Sequence, residues 1–340
     1  MIFTSDKTRF FDCLAAISAI IFMAVLIVFS SVCAAGAKAG IRLCTNVLIP
    51  SLFPFAATVV FITKTRFIRC SKHKIIFVYL LSLLGGYPIG AKLIDELYSD
   101  GVLDSKSAEN LLPFCVNAGP AFIVLAIGDG ILGSKETGIV LLVSHIAASC
   151  LLTLFFVRKE FVSDLSGNTT DNKKFFDKFT ESINIASNST VSICAFVIFF
   201  SVINSAAASL SGSVKLLKFL VYFFEITTAV GNTNSIYLIS FLLGFGGLSV
   251  WMQVFSIRKP RVLSFIAVRM LHGALSVVLT AIIESVIVRN GAFINTKTNI
   301  AFEYFSSDIS LFLAMSVMVL LLGVSIVSKK YSGNLLKDVV

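Results

Sequence analysis

Two ionisable residues stand inside apolar stretches of this 340-residue sequence, in which 56% of the residues are hydrophobic and 14% are charged. Lys92 follows the segment Gly85-Gly-Tyr-Pro-Ile-Gly90, and Glu225 lies within Phe223-Phe-Glu-Ile226. A buried ammonium or carboxylate needs a partner, so such residues are candidates for binding a solute. Lys92 can pair with Glu225, with an anionic solute, or with both. Glu225 has a structural alternative, as the partner of Lys92, Arg269 or a helix terminus.

Hydroxyl, amide and glycine residues accompany these charges where the apolar runs are interrupted. Hydroxyl groups and the free backbone N–H groups at the start of a half-helix can donate hydrogen bonds to a carboxylate or hydroxyl ligand. Satisfying the neighbouring backbone is the alternative role for Ser249 and Gln253. The predicted substrate-binding residues are Ser51, Gly86, Tyr87, Lys92, Asn117, Gly119, Ser189, Thr190, Glu225, Asn232, Ser249 and Gln253.

The elements that position these residues must lie in a membrane. Soluble domains carry about 25% charged residues, and a chain this apolar could not cover itself with polar groups. Four long apolar runs, at 11–35, 136–157, 262–288 and 308–327, predict spans that cross about 30 Å of hydrocarbon. A cleaved signal peptide is the alternative for 11–35, but this apolar run exceeds the usual length of the apolar region of such a peptide.

The other apolar runs are interrupted. Pro50 and Pro54 fall within 40–63, which predicts a re-entrant hairpin there, and a second hairpin is predicted at 181–204. The remaining interruptions are at residues 85–90, 117–120, 225–232 and 244–249. Irregular backbone at membrane depth survives only when it is buried in protein or lines a polar cavity. Discontinuous helices around a midplane site are typical of secondary transporters.

Weak internal similarity predicts that two parts of the chain share one fold. At an offset of 138 residues Ser51 falls on Ser189, and at an offset of 127 residues His145 falls on His272. The predicted fold is all-α, with about eight transmembrane helices and two re-entrant hairpins in two pseudo-symmetric repeats. Basic loop residues favour both termini in the cytosol. The predicted parts of this single membrane domain, 1–340, are an N-terminal span 11–35, repeat 1 over 37–157, a polar loop 158–178, repeat 2 over 179–288 and a C-terminal span 308–327.

Several classes of function are disfavoured by the motif content. The seven cysteines form no CxxC pair and the three histidines form no HExxH motif, so we expect no metal site and no cofactor. No Walker A or GxSxG motif appears, and we expect no enzyme activity. The net charge of +9 accompanies no nucleic-acid-binding motif and suits loops that face the cytosol and anionic lipid. The expected partners are a small-molecule anion and the lipid bilayer, and the chain is compatible with a homo-oligomer.

Five segments of the chain form a recognisable set. They are Asn46-Val-Leu-Ile-Pro-Ser-Leu-Phe-Pro-Phe55, Gly86-Tyr-Pro-Ile-Gly-Ala-Lys92, Asn117-Ala-Gly-Pro-Ala-Phe122, Glu225-Ile226 and Phe245-Gly-Gly-Leu-Ser-Val-Trp-Met-Gln253. With these segments the sequence resembles the sporulation integral membrane protein family of the YlbJ or SpoVV type, which is grouped with membrane nucleoside recognition, or Gate, domains. The resemblance extends over about residues 10–290.

The resemblance implies a fold similar to concentrative nucleoside transporters and a role in endospore formation. That family is associated with moving dipicolinic acid from the mother cell towards the developing spore. The expected function is a sporulation-associated transporter of a small anionic or aromatic solute, multi-pass in the cell membrane, in the mother-cell or outer forespore membrane. Lys92, half-helix donors and aromatic walls such as Tyr87 or Trp251 suit that solute. The alternatives are a non-transporting membrane scaffold in spore maturation and a nucleoside-type permease.

Overall fold

The computed structural model describes residues 3–65, 74–156, 174–210, 223–231, 233 and 235–289. Helix is the only regular structure among these residues, and five of the helices are long and apolar enough to cross a membrane. They are Ser30–Thr63, Lys135–Phe156, Phe175–Ser209, Ile236–Ile257 and Val262–Val286. This part of the chain is therefore an all-α membrane protein. The predicted span at 308–327, residues 158–173 of the predicted loop and the candidate residue Asn232 lie outside the described residues.

Long spans alternate with short helical segments along the chain. In chain order the α-helices are α1 (Phe3–Val28), α2 (Ser30–Leu43), α3 (Ile49–Thr63), α4 (Lys74–Gly85), α5 (Tyr87–Ser99), α6 (Ser105–Cys115), α7 (Lys135–Phe156), α8 (Phe175–Leu210), α9 (Ile226–Gly231), α10 (Ile236–Phe245), α11 (Gly247–Ile257) and α12 (Val262–Arg289). Two π-helices complete the set, π1 (Cys44–Leu48) and π2 (Ala121–Ile131). Because α2, π1 and α3 follow one another without a gap, they form a single span.

The span α2–π1–α3 and the span α8 pack against each other in opposite directions. Gly36 of α2 lies beside Ser205 of α8, and Phe61 of α3 contacts Phe179 of α8 with ring centroids 5.9 Å apart. A Cβ on Gly36 would lie 2.5 Å from the Ser205 Oγ, so the helices touch where no side chain intervenes. Close approach at small residues is common between membrane helices. The shorter helices α4 and α11 pack against this pair.

The structure contradicts re-entrant hairpins at the two predicted positions. Residues 40–63 and 181–204 each lie within an uninterrupted helical span, with no turn at Pro50 or Pro54. π1 ends two residues before Pro50. Its wider turn lets the helix continue although proline has no N–H to donate to the preceding turn. The hydroxyl of Ser51 also donates to a backbone carbonyl one turn earlier, at 2.6 Å. Such local adjustments satisfy the freed backbone groups and allow proline in membrane helices.

Helices do break further along the chain, at or next to the predicted interruptions. Gly86 separates α4 from α5, and its φ of 88° lies in the left-handed region that favours glycine. Gly246, with a φ of 95°, separates α10 from α11. Residues 116–120 separate α6 from π2, and residues 223–225 precede α9. Each break leaves backbone N–H and C=O groups that lipid cannot satisfy.

The breaks meet in pairs, so the backbone freed in one helix packs against the backbone of another. Gly119 approaches the break at Gly86 so closely that a Cβ on Gly119 would lie 3.1 Å from the Gly86 nitrogen. Ser249, in the first turn of α11, donates its N–H to the Phe224 carbonyl at 2.9 Å. Gly86, Gly119 and Ser249 are buried. The breaks therefore lie inside the protein, where irregular backbone is tolerated.

Ion pairs join the helices at one end of the described structure. Lys64, just after α3, bonds Glu96 of α5 at 2.6 Å and Glu181 of α8 at 3.3 Å. Arg258, just after α11, bonds Asp95 of α5 at 3.1 Å. A further pair at this end joins the start of α12 to α6. We call the side chains of these pairs the ionic layer, which consists of Lys64, Asp95, Glu96, Glu109, Glu181, Arg258 and Arg261.

Asp104 caps the start of α6 beside the ionic layer. Its carboxylate accepts a hydrogen bond from the Ser107 N–H at 3.1 Å. Hydrogen bonding by Ser107 lowers the pKa of the Asp104 carboxyl below its usual value. The contribution of this cap to stability is therefore present above the unfolded pKa and is lost as pH falls through the lower folded pKa.

Lys64→Ala is expected to lower the free energy of unfolding by about 1–2 kcal/mol, because it removes the ion pairs with Glu96 and Glu181. The expected loss is smaller than for a fully buried ion pair, because both acids keep some contact with water. The Lys64 side chain is 7% exposed, whereas those of Glu96 and Glu181 are 33% and 31% exposed. The measurement is the midpoint of thermal unfolding in detergent. Lys135→Ala is the matched control, because Lys135 pairs with an acid at 3.5 Å while 60% exposed. Equal midpoints for the two variants would contradict a stabilising role for the ionic layer.

Candidate functional site

A cavity lies where the helix breaks meet. It holds about 620 Å³ of empty space, including its mouth, and its walls come mainly from α3, α5, π2, α8, α9 and α11. Leu52, Ile89, Phe122 and Val197 contribute apolar surface to these walls. Eight of the residues that the sequence predicts for a binding site line this cavity, namely Gly86, Tyr87, Gly119, Ser189, Thr190, Glu225, Ser249 and Gln253.

Three half-helices begin at this cavity. α5 starts with Tyr87, α11 starts two residues before the lining residue Ser249, and π2 starts just after the lining residue Gly119. The start of a helix carries a partial positive charge, which favours an anionic or hydrogen-bond-accepting group. At α11 the N–H groups of Leu248 and Ser249 already donate to the carbonyls of Phe223 and Phe224, so this helix contributes its dipole rather than free donors. The cavity therefore combines apolar walls with partial positive charge at several points.

Glu225 is an acidic residue in the cavity wall, and it is buried with 3% exposure. It lies directly before α9 and accepts hydrogen bonds from the N–H groups of Thr227 at 3.0 Å and Thr228 at 2.7 Å. The hydroxyl groups of the same two threonines also donate to this carboxylate. Glu225 therefore caps the start of α9, the helix-terminus role that the sequence allows, and also faces the cavity.

Lys92 lies just outside the cavity, one helical turn beyond the lining residue Ile89. Its Nζ donates to the Ser189 hydroxyl at 2.8 Å and to the Ile185 carbonyl at 3.5 Å. Because Ser189 lines the cavity, the ammonium group of Lys92 is bonded directly to a side chain of the cavity wall. In this structure the hydrogen bonds of Lys92 go to α8 rather than to Glu225.

Other predicted residues hold the surrounding backbone. Ser51 bonds within its own helix, as described above, and is not part of the cavity wall. The Asn117 side chain accepts a hydrogen bond from the Ser149 hydroxyl at 3.1 Å and also bonds the end of α6, so it stabilises the break before π2. Tyr87 contributes to the wall, while its hydroxyl donates to the Leu243 carbonyl at 2.7 Å.

Sequence reasoning missed two residues around this site. Thr227 lines the cavity and donates to Glu225; its position two residues after an acid that precedes a short helix is a capping signal. Arg269, which the sequence offers as a partner for Glu225 or as a residue that packs its span through a buried hydrogen bond, donates to carbonyls at the ends of two broken helices. A single arginine inside an apolar run is the signal that could have identified it.

Comparisons of this chain with models of protein families, with curated proteins and with solved structures give no match. The residues around the cavity combine one carboxylate, several hydroxyl groups and apolar walls. The hydroxyl groups of Ser189 and Thr190 donate to carbonyls of their own helix at 2.8 Å and 2.9 Å and face the cavity as acceptors.

Proposed function

We propose that this protein is a secondary membrane transporter for a small solute with aromatic and anionic character. The observation that carries the proposal is the cavity at the meeting of the helix breaks, because discontinuous helices around a central site are typical of such carriers. The half-helix starts, the apolar walls and Lys92 behind Ser189 support an anionic aromatic solute. The protein moves this solute across the membrane without chemistry on it.

We also infer that residues 37–157 and 179–288 are two repeats of opposite orientation. The antiparallel packing of the α2–π1–α3 span against α8 supports this, because each repeat supplies one of the two helices. A second pair supports it too, since α7 packs against α12 with the rings of His145 and His272 4.4 Å apart. Equivalent elements that face each other across the centre are expected of inverted repeats.

In this arrangement α4 and α5 form a re-entrant hairpin. Support comes from the ion pair between Lys64 and Glu96, which brings the end of α5 beside the end of α3, the helix that α4 follows. The tip of the hairpin is then Gly86, at the cavity. The proposed total of eight spans consists of the five long helices, α1, the broken helix α6–π2 and the span expected at 308–327.

The family resemblance makes dipicolinate the first solute to test, with the mother-cell or outer forespore membrane as the place of action. Glu225 favours a second candidate, a nucleoside-type permease, because a carboxylate accepts hydrogen bonds from sugar hydroxyls and repels a dianion. A membrane scaffold is the alternative without transport. It predicts that changes at the cavity are tolerated.

The test is solute flux into liposomes that contain the purified protein, with dipicolinate and uridine compared under the same conditions. Protein-free liposomes measure the leak of each solute. Dipicolinate-selective flux supports the proposal, and flux of uridine alone supports the permease. Absence of both fluxes from folded protein contradicts transport of either solute and favours the scaffold.

Lys92→Ala is expected to lower dipicolinate flux by at least about tenfold, because a partly buried charge that favours the anion is lost. The initial rate of uptake is the measurement, with size-exclusion chromatography to verify that the variant is folded. Lys135→Ala is the matched control, since it removes an exposed lysine that is not part of the cavity wall. Equal flux in both variants would contradict the role of Lys92.

A further inference from the structure

Arg269 is a buried positive charge that forms no ion pair among the described residues. It lies within α12 and is 1% exposed. Its Nη1 donates to the carbonyls of Val116 at 2.5 Å and Pro113 at 3.4 Å, and its Nε donates to the carbonyl of Phe245 at 3.5 Å. Its Nη2 has no hydrogen-bond partner in the described structure. Since a guanidinium stays charged, backbone carbonyls are what stabilise it here.

These carbonyls belong to the ends of two broken helices. Pro113 and Val116 lie at the C-terminal end of α6, and Phe245 is the last residue of α10. The C-terminal end of a helix has free carbonyls and a partial negative charge, which a cation complements. The planar fork of arginine presents donors in several directions at once, whereas a lysine ammonium is a single compact group.

The segments that follow the two helix ends each form part of the cavity wall. Gly119 follows α6, while Ser249 and Gln253 follow α10, and all three line the cavity. Arg269 belongs to neither broken helix, so a single side chain from a third helix is bonded to both of them.

We propose that Arg269 is a positioning residue, which fixes the ends of α6 and α10 relative to each other and thereby sets the separation of the cavity walls that follow them. This inference rests on the proposed function, because it concerns the walls of the same transport site. His145 supports it: its Nε2 accepts the Ala118 N–H at 3.1 Å, and its carbonyl accepts a hydrogen bond from His272 at 3.0 Å. Residues of α12 thus hold the break after α6 by two routes.

The test uses Arg269→Lys, which keeps the positive charge and removes the fork. Thr280→Val is the matched control, because it removes a buried hydroxyl from the same helix. That hydroxyl forms a hydrogen bond with the hydroxyl of Ser240 at 2.8 Å. Hydrogen exchange is measured by mass spectrometry in lipid nanodiscs over residues 113–120 and 243–249. The concentration dependence of solute flux is measured on the same proteins in liposomes.

In Arg269→Lys we expect exchange over both segments to become at least about tenfold faster, because local opening at each break becomes easier. The KM for flux is expected to rise more than the maximal rate falls, and Thr280→Val is expected to change neither quantity. Unchanged exchange, or faster exchange in one segment only, would overturn the positioning role.

Exchange is measured without solute, so its result is separable from a failure of the proposed transport. If wild-type protein moves neither solute, the contrast in exchange between Arg269→Lys and Thr280→Val still tests the bonding of both helix ends. Arg269→Gln, which keeps an amide donor, is the second variant. Failure of both Arg269 variants to fold, with normal folding of Thr280→Val, would overturn the positioning role in favour of a role in stability.

Discussion

Replacing Gly90 by alanine is expected to leave little or no folded protein. A Cβ at this position of α5 would lie 1.8 Å from the carbonyl oxygen of Cys115 and 2.9 Å from the carbonyl carbon. Cys115 ends α6, so its carbonyl belongs to backbone that cannot move without shifting the break that follows. Overpacking of a core typically costs about 1–3 kcal/mol, and a clash with fixed backbone lies beyond that range.

The measurement for Gly90→Ala is the yield of monodisperse protein in detergent, followed by its thermal midpoint. Gly231→Ala is the matched control, because a Cβ on Gly231 at the end of α9 would meet nothing within 4 Å. Normal yield and an unchanged midpoint for Gly90→Ala would show that α5 and α6 do not approach as closely as they do here.

Glu225→Gln is expected to reduce the flux of the transported solute by at least about tenfold, because the loss of the cap on α9 outweighs the relief of charge repulsion on an anionic solute. Hydrogen bonds to a charged acceptor contribute about 1.5–3 kcal/mol each. The carboxylate accepts hydrogen bonds from the N–H and hydroxyl groups of Thr227 and Thr228. An amide keeps one acceptor oxygen, but its NH2 group is itself a donor and cannot accept from these groups. The start of α9 then loses part of its cap, and the cavity wall loses its charge.

The initial rate of flux in liposomes measures this effect, with Glu284→Gln as the matched control. Glu284 lies on α12, accepts a hydrogen bond from Tyr237 and is not part of the cavity wall, so its flux is expected to match that of the wild type. Equal flux from both variants would contradict a role for Glu225 in transport. Loss of uridine flux together with increased dipicolinate flux would favour the nucleoside-type permease.

Much of the candidate site could be predicted because the residues that break a membrane helix are few and easily seen in an apolar sequence. Gly86, Gly119 and Ser249 stand where apolar runs are interrupted, and all three line the cavity. Glu225 could be identified as an acid surrounded by apolar residues. Since irregular backbone and charge must both avoid lipid, they collect in the same place.

The path of the chain between these points could not be predicted. Pro50 and Pro54 suggested a turn, yet the helix continues because π1 and nearby hydroxyl groups satisfy the backbone. Proline alone does not distinguish an adjusted helix from a hairpin. The partners of Arg269 were also beyond prediction, since its carbonyl acceptor on Val116 is 153 residues away and a backbone carbonyl has no sequence signature.

The ionic layer bears on the pace of a transport cycle. Opening the cavity towards that end would separate Lys64 from Glu96 and Glu181, and Arg258 from Asp95. In the proposed carrier, an intact ionic layer would keep that end shut at rest, so the solute would enter first from the opposite face of the membrane. Turnover would then depend on how often these charges separate rather than on how tightly the solute is held.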